Sequence, residues 1–340
     1  MEILVDLVSD TATRPTEAMK RAMMAAPLGD EQKGEDPTVR ALEERMAALL
    51  GCERALFVPS ATMGNQIALA LHAQAGDEVI CHRTAHVLNH EGAGAAMTAR
   101  AQLHPLDTPR GIFTADDVRR VTRADDPHYP RTRCVVVENT SNGGGGSVWP
   151  LATYDAVAEH CRAAGLSLHL DGARLFHASV ALAVPVGRLA RGADTVQVCF
   201  SKGLGCAFGA VLALPASLWP RARRLKQALG GCLRQAGIAA GGMLYALDHH
   251  VERLADDHRR ARALADGLGG VAGLEVEAVE TNLVFFRTRT KAPRDLVAAA
   301  LADGVRVAAA GPDRLRACLH LDVDDAGVER ALRALARAAM

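Results

Sequence analysis

The chain reads as an α/β protein with a large domain, built on a mainly parallel sheet covered by helices, and a smaller C-terminal α/β domain. Three observations point there. Short apolar runs alternate with Ala-rich helical stretches from about residue 38 to 245, the rhythm of a parallel sheet covered on both faces. At 340 residues the chain exceeds what one small core organises. Beyond residue 269 a second set of strand and helix patterns begins.

In chain order, residues 1–15 read as an N-terminal arm, 16–245 as the large domain and 246–340 as the small one. Pro37 opens a helix that reaches about Leu50 and stops at Gly51. A strand at 55–58 runs into Pro59-Ser60 and a helix from about 62 to 75. Further strands are expected at 78–81, 134–138, 167–170, 195–200 and 210–213. The run Gly143–Gly146 follows a strand but leads into Ser-Val-Trp-Pro instead of a helix, so it reads as a mobile turn. One amphipathic helical pattern covers 242–269 without a proline. A strand at 281–287, a helix at 294–303, strands at 305–308 and 316–321 and a final helix complete the small domain.

Composition narrows the function. Half of the residues are hydrophobic but only 4% aromatic, so Ala, Leu and Val build the core. The formal net charge is zero, which argues against nucleic acid or an anionic membrane as the main partner. The arginine runs at 221–224 and 259–262 read as solvated helix faces. No apolar run approaches the ~20 residues of a membrane span, and no secretory signal opens the chain. Eight cysteines without a C-x-x-C pair suit reduced, buried thiols in a cytoplasmic protein.

The chemistry gathers at strand ends, where sites in such sheets lie. Lys202 sits between the strand 195–200 and a glycine turn, with Asp171 at a strand end 31 residues earlier. A lysine nucleophile and a carboxylate in that order suit pyridoxal 5'-phosphate: one forms a Schiff base, the other keeps a proton on the pyridine nitrogen. Ser60, Ala61 and Thr62, between a strand and a helix, offer hydroxyls and N–H groups for a phosphate, or simply an ordinary N-cap. Ser201 is a further phosphate candidate. His82, His86 and His90 recur every four residues and would share one face of a helix, which makes a metal site the rival reading. Arg174 and Arg316 carry the planar guanidinium suited to an amino-acid carboxylate. No G-x-G-x-x-G fingerprint or P-loop occurs, which weakens nucleotide readings.

These residues belong to a longer series of ordered motifs. They include Asp6-Leu-Val-Ser-Asp-Thr-Ala-Thr-Arg-Pro15, Gly34-Glu-Asp-Pro-Thr38, Pro59–Asn65, His86 with Glu91, His128 before Arg131-Thr-Arg and Glu138-Asn-Thr140. They continue with His169-Leu-Asp-Gly-Ala-Arg-Leu-Phe176, Ser201–Gly205, Arg234-Gln-Ala-Gly237, Thr281-Asn282 and His320-Leu-Asp-Val323. Over almost its whole length the chain resembles the L-threonine aldolases, pyridoxal phosphate enzymes of the aspartate-aminotransferase-like fold (fold type I). The resemblance implies Lys202 as the Schiff-base lysine, His86 stacked on the cofactor ring and Asp171 on its nitrogen. It also implies Ser9, Arg174 and Arg316 on the substrate carboxylate and His128 near the substrate hydroxyl. Arg234 would reach the phosphate across a subunit interface, so a homodimer or homotetramer is implied. Ala61, Lys33, Ser141, Gln227, Cys232 and Val8 depart from the family pattern and bear on substrate preference.

The expected activity is cleavage of L-threonine, L-allo-threonine or a similar L-β-hydroxy-α-amino acid to glycine and an aldehyde, with His86, His128 or a water as base. The rivals are a phenylserine-type aldolase, a β-eliminating lyase, a non-catalytic pyridoxal-fold sensor and, more remotely, a metal hydrolase on the three histidines.

Overall fold

The computed structural model describes residues 2–340. The arm contributes a short strand, β1 (Val5–Asp6). A seven-stranded sheet follows, made of β2 (Arg54–Val58), β3 (Glu78–His82), β4 (Gln102–Leu106), β5 (Thr132–Glu138), β6 (Ser167–Gly172), β7 (Thr195–Cys199) and β8 (Ala210–Leu214). Its order is β2-β8-β7-β6-β5-β3-β4, and β8 alone runs against the others. Strands β3, β7 and β8 are buried along their whole length, because helices cover both faces. Strand β4 escaped the sequence reading. It contains Pro105, and it sits at the sheet edge, where a missing N–H leaves no partner unsatisfied.

Local signals start and stop the helices. Asp36 accepts the N–H groups of Thr38 and Val39 at the head of Pro37–Leu50, and Gly51 closes that helix with φ 68°. Ser60 caps Ala61–His72 by accepting the Met63 N–H. Ile67 of that helix packs on Leu56, Val58 and Leu212. The long helix expected at 242–269 is in fact two, Gly237–His249 and Leu254–Gly269. His250 turns inward to donate from Nδ1 to the Leu204 carbonyl (2.7 Å), and Leu254 is fully buried beyond it. Tertiary contact makes this break; no glycine or proline marks it in the sequence.

The small domain carries β9 (Leu274–Val276), β10 (Leu283–Thr288), β11 (Val305–Arg306), β12 (Ala308–Ala309) and β13 (Arg314–Cys318). Four of them form an antiparallel sheet in the order β12-β13-β10-β9, and β11 pairs in parallel with β1 of the arm. Val5 and Leu7 therefore join Leu264, Phe286, Leu315 and Leu335 in a second core, separate from the core under the large sheet.

The glycine run is not a mobile turn. Residues 144–149 are buried, and the loop is tied on three sides. Arg314 Nη1 donates to the Gly143 carbonyl (2.9 Å), Thr281 Oγ1 to that of Gly146 (2.9 Å), and Ser147 Oγ to that of Arg110 (2.6 Å). A Cβ at Gly144 would lie 2.0 Å from the Arg110 oxygen, so glycine is required there for close approach. The arginine runs also do more than face water: Arg221 donates to the Ala70 carbonyl, and Arg259 and Arg260 both bind Asp325.

Candidate active site

A cavity of about 260 Å³ opens beyond the carboxyl ends of β5, β6 and β7 and brings together Ser9, His86, Arg174, Lys202 and Arg316. Each arrives on a different element. The β7 strand ends at Cys199, and the Gly205 N–H bonds back to the Lys202 carbonyl (2.8 Å), closing a tight turn with the lysine at its start. A side chain at Gly203 would meet His177 Nε2 at 2.4 Å, so the backbone after Lys202 must be bare. Lys202 makes no ion pair among the described residues. Asp171, at the end of β6, is 1% exposed, with Oδ1 accepting the Ala173 N–H (3.1 Å) and Oδ2 the Asn65 amide (2.9 Å).

The two arginines differ in a way the sequence does not reveal. Arg174 is locked to Asp10 by paired bonds, Nε to Oδ2 (2.7 Å) and Nη2 to Oδ1 (2.8 Å), with both side chains buried. Burial alone would push the Asp10 carboxyl up, but Arg174 and, more weakly, Lys202 overcome it and hold Asp10 well below the carboxylate range. Asp10 also accepts from Asn282 Nδ2 (3.1 Å), so it joins the arm, the large domain and the small domain. Nη1 of Arg174, which faces Asn142 Oδ1 at 3.5 Å, is the nitrogen turned away from Asp10 and toward the cavity. Arg316, from β13, has no carboxylate. It donates to the Val8 carbonyl (2.9 Å) and to Asn142 Oδ1 (3.0 Å), and its Nε is buried without a partner. Burial, and then the positive charge of Arg174, push its pKa down. An uncompensated guanidinium in such a place is a seat for an anion.

His86 begins a short helix after β3. Its N–H donates to Glu138 Oε2 (2.7 Å) and its Nδ1 faces Glu91 Oε1 (2.8 Å). The Glu91 hydrogen bond raises the His86 pKa above its ordinary value, against the opposing effect of burial and with help from Asp171. Burial, and then Asp171, raise that of Glu138. The three regularly spaced histidines do not share a helical face. His82 lies in β3 with its ring between Thr84 and the Thr108 carbonyl, while His90 caps the short helix that His86 opens.

Other assigned residues lie further out. The Phe200 N–H donates to the Gly209 carbonyl and the Gly209 N–H to that of Pro59, which sets the Ser201 turn beside Ser60, Ala61 and Thr62. That helix start therefore lies next to the lysine turn, outside the cavity lining itself. Arg234 is also outside its own chain's cavity. It is 62% exposed and pairs with Asp30 at 3.2 Å. His128 also lies outside the cavity lining of its own chain. Its side chain is 87% exposed, bound to Asp126, and it precedes β5, whose seven residues carry the chain roughly 20 Å across the sheet before reaching Glu138. Within one chain it sits at the wrong end of the strand for the cavity.

The sequence reading missed Asp10, Asn65 and Asn142. Asn142 lines the cavity, holds Arg316 through Oδ1, and donates its N–H to Glu138 Oε1 (2.7 Å). The Glu-Asn-Thr motif three residues earlier was the available signal.

Comparison with known proteins agrees with this geometry. The family model described as beta-eliminating lyase matches residues 6–291. A probable low-specificity L-threonine aldolase of Arabidopsis thaliana is 39% identical over 96% of this chain and 95% of its own length. The low specificity L-threonine aldolase of Escherichia coli strain K12 is 40% identical over 84% of each chain. The solved threonine aldolase of Leishmania major superposes with a TM-score of 0.85 at 21% identity, over 99% of this chain and all of that one. A methionine aminotransferase structure from Escherichia coli gives a TM-score of 0.78 at 15% identity, over 98% of this chain and 92% of that one. At those identities, the structural matches establish the aminotransferase-like fold.

Proposed function

The chain belongs to the beta-eliminating lyase family, in the group of the low-specificity L-threonine aldolases, and from that membership we propose that it cleaves L-threonine and L-allo-threonine to glycine and acetaldehyde with pyridoxal 5'-phosphate. The observation that carries the reading is the meeting, in one cavity, of an unpaired strand-end lysine, a charge-uncompensated arginine and a histidine held by a carboxylate.

The residues present fit the cofactor. Asp171 is buried with its carboxylate held by two donors and would keep a proton on the ring nitrogen. Lys202 would carry the covalent attachment. The helix start at Ser60, Ala61 and Thr62, with Ser201 beside it, would take the phosphate. Thr140 Oγ1 lines the same cavity, buried and without a partner, as an unused polar contact. When bound, the cofactor supplies an electron sink for the breaking Cα–Cβ bond.

The protein's own share is positioning and proton transfer. Arg316, Ser9 and Nη1 of Arg174 hold the substrate carboxylate and so fix which bond at Cα is presented. Glu91 holds the Nδ1 proton of His86, leaving Nε2 to take the β-hydroxyl proton, directly or through a water. Arg234, exposed and outside its own cavity, would act in a neighbouring subunit, so the active form is a homo-oligomer. No described helix is long and apolar enough to cross a membrane, and the reading places the enzyme in the cytoplasm.

Borohydride reduction of the cofactor-loaded protein, followed by peptide mapping, tests this. A pyridoxyl adduct on Lys202, lost together with turnover in Lys202→Ala, is the expected result. An adduct on another lysine overturns the assignment.

A further inference from the structure

Behind the cavity a line of side chains is hydrogen-bonded in one direction, and its proton positions follow from elimination. Asn65 is 1% exposed, and its Nδ2 lies 2.7 Å from Glu91 Oε1 and 2.9 Å from Asp171 Oδ2. Both partners are carboxylate oxygens, so the nitrogen must face them and both its N–H groups are spent. Asn65 Oδ1 then accepts, and its neighbour is His169 Nε2 at 3.0 Å. His169 therefore carries its proton on Nε2, and its Nδ1 accepts from Thr195 Oγ1 at 2.8 Å. Thr195 Oγ1 in turn accepts from His72 Nε2 at 2.9 Å. Burial pushes both His72 and His169 down to about 4, so each is neutral and has a single tautomer here. At the far end His86 donates from Nδ1 to the same Glu91 oxygen that Asn65 contacts.

We propose that Asn65 and His169 are positioning residues that join the two halves of the site: the Asn65 amide ties Asp171, the partner of the cofactor nitrogen, to Glu91, the partner of His86, and His169 fixes which way that amide points. The inference rests on the functional reading above. Its physical reason is charge. Asp171 and Glu91 share one donor group in a buried place, where two bare carboxylates repel, and burial and then Asp171 push the Glu91 pKa up. The two N–H groups of Asn65 give each carboxylate its own donor and so offset that repulsion. Asp171 is then ready for the ring nitrogen while Glu91 still orients His86. With an apolar side chain at residue 65, Asp171 keeps only the Ala173 N–H and Glu91 only His86.

Four variants test it, read by the dissociation constant for pyridoxal 5'-phosphate and by the pH midpoint of the bound cofactor's absorbance. The charged and titratable groups facing His86 are Glu91, Glu138, Asp171, Lys202 and His90, and none of them is altered. Asn65→Leu is expected to weaken cofactor binding by about tenfold or more and to move the midpoint. Asn65→Asp, which adds a third carboxyl, should weaken it further. His169→Gln keeps a donor for Asn65 Oδ1 and should stay near wild type, whereas His169→Phe should resemble Asn65→Leu. Wild-type affinity and an unmoved midpoint in folded Asn65→Leu would overturn the proposal. If that variant does not fold, indistinguishable His169→Gln and His169→Phe proteins would overturn it instead. A wild-type protein that takes up no cofactor overturns the functional reading and this inference with it; normal uptake with unchanged variants overturns the inference alone.

Discussion

Arg174→Gln and Arg316→Gln should fail in opposite ways, although both residues face the same cavity. Arg174 and Asp10 are 5% and 0% exposed at the side chain and share two charged hydrogen bonds of 2.7 and 2.8 Å. Losing the guanidinium leaves Asp10 buried with Asn282 as its remaining side-chain donor. Breaking a buried pair in this way costs about 3–5 kcal/mol. At roughly 2–4 °C per kcal/mol for a large domain, Tm should fall by roughly 6–20 °C. The sign with pH follows from the depressed Asp10 pKa. The pair's contribution is fully present above the ordinary value of 3.8 and is lost as the pH falls below it, toward the folded-state value. Arg316 binds only neutral acceptors and leaves Nε unpaired. Replacing it removes a desolvated charge, so stability should stay within about 1 kcal/mol of wild type or rise. Catalysis should suffer instead: losing a charged hydrogen bond to the substrate, worth about 1.5–3 kcal/mol, lowers kcat/KM for L-threonine by roughly 10–150-fold. Thermal melts and steady-state kinetics on the two variants decide it. A wild-type melt for Arg174→Gln, or a collapsed fold with Arg316→Gln, would refute the division of labour between the two arginines.

Asn142→Asp places a carboxylate 3.0 Å from Arg316 Nη1 and should act as a built-in competitor, raising KM by about tenfold or more without loss of Tm; an unchanged KM counts against an anion seat at Arg316. Glu91→Gln removes the largest influence that raises the His86 pKa, so the acid limb of the kcat/KM profile should move to lower pH; a limb that stays in place or moves up excludes His86 as the titrating base. Gly144→Ala pushes a methyl group against the Arg110 carbonyl and should cost about 1–3 kcal/mol in a denaturant melt while raising KM through Asn142; a neutral result would mean the glycine loop gives way freely.

The parts of the site that could be read from the sequence sit at strand ends. Asp171 lies at the end, and Lys202 just past the end, of a short strand pattern in which apolar residues alternate with polar ones (Leu168, Leu170; Val196, Val198), and in a parallel sheet such ends meet at one edge. The parts that could not be read depend on long-range contact. Asp10 meets Arg174 across 164 residues, and no local pattern marks an aspartate in an arm as the counter-ion of a distant arginine. Asn142 hid in a glycine run that looks flexible, because only the folded chain shows Arg110, Thr281 and Arg314 closing on it. In the fold, β4 was hidden by Pro105, and the break at 250–253 by a tertiary bond from His250.

The most direct measurement is a product balance on the cofactor-loaded protein supplied with L-threonine. Glycine and acetaldehyde should appear in equal amounts, with neither formed by Lys202→Ala. Ammonia with 2-oxobutanoate, and no glycine, would show elimination in place of carbon–carbon cleavage and contradict the proposed function.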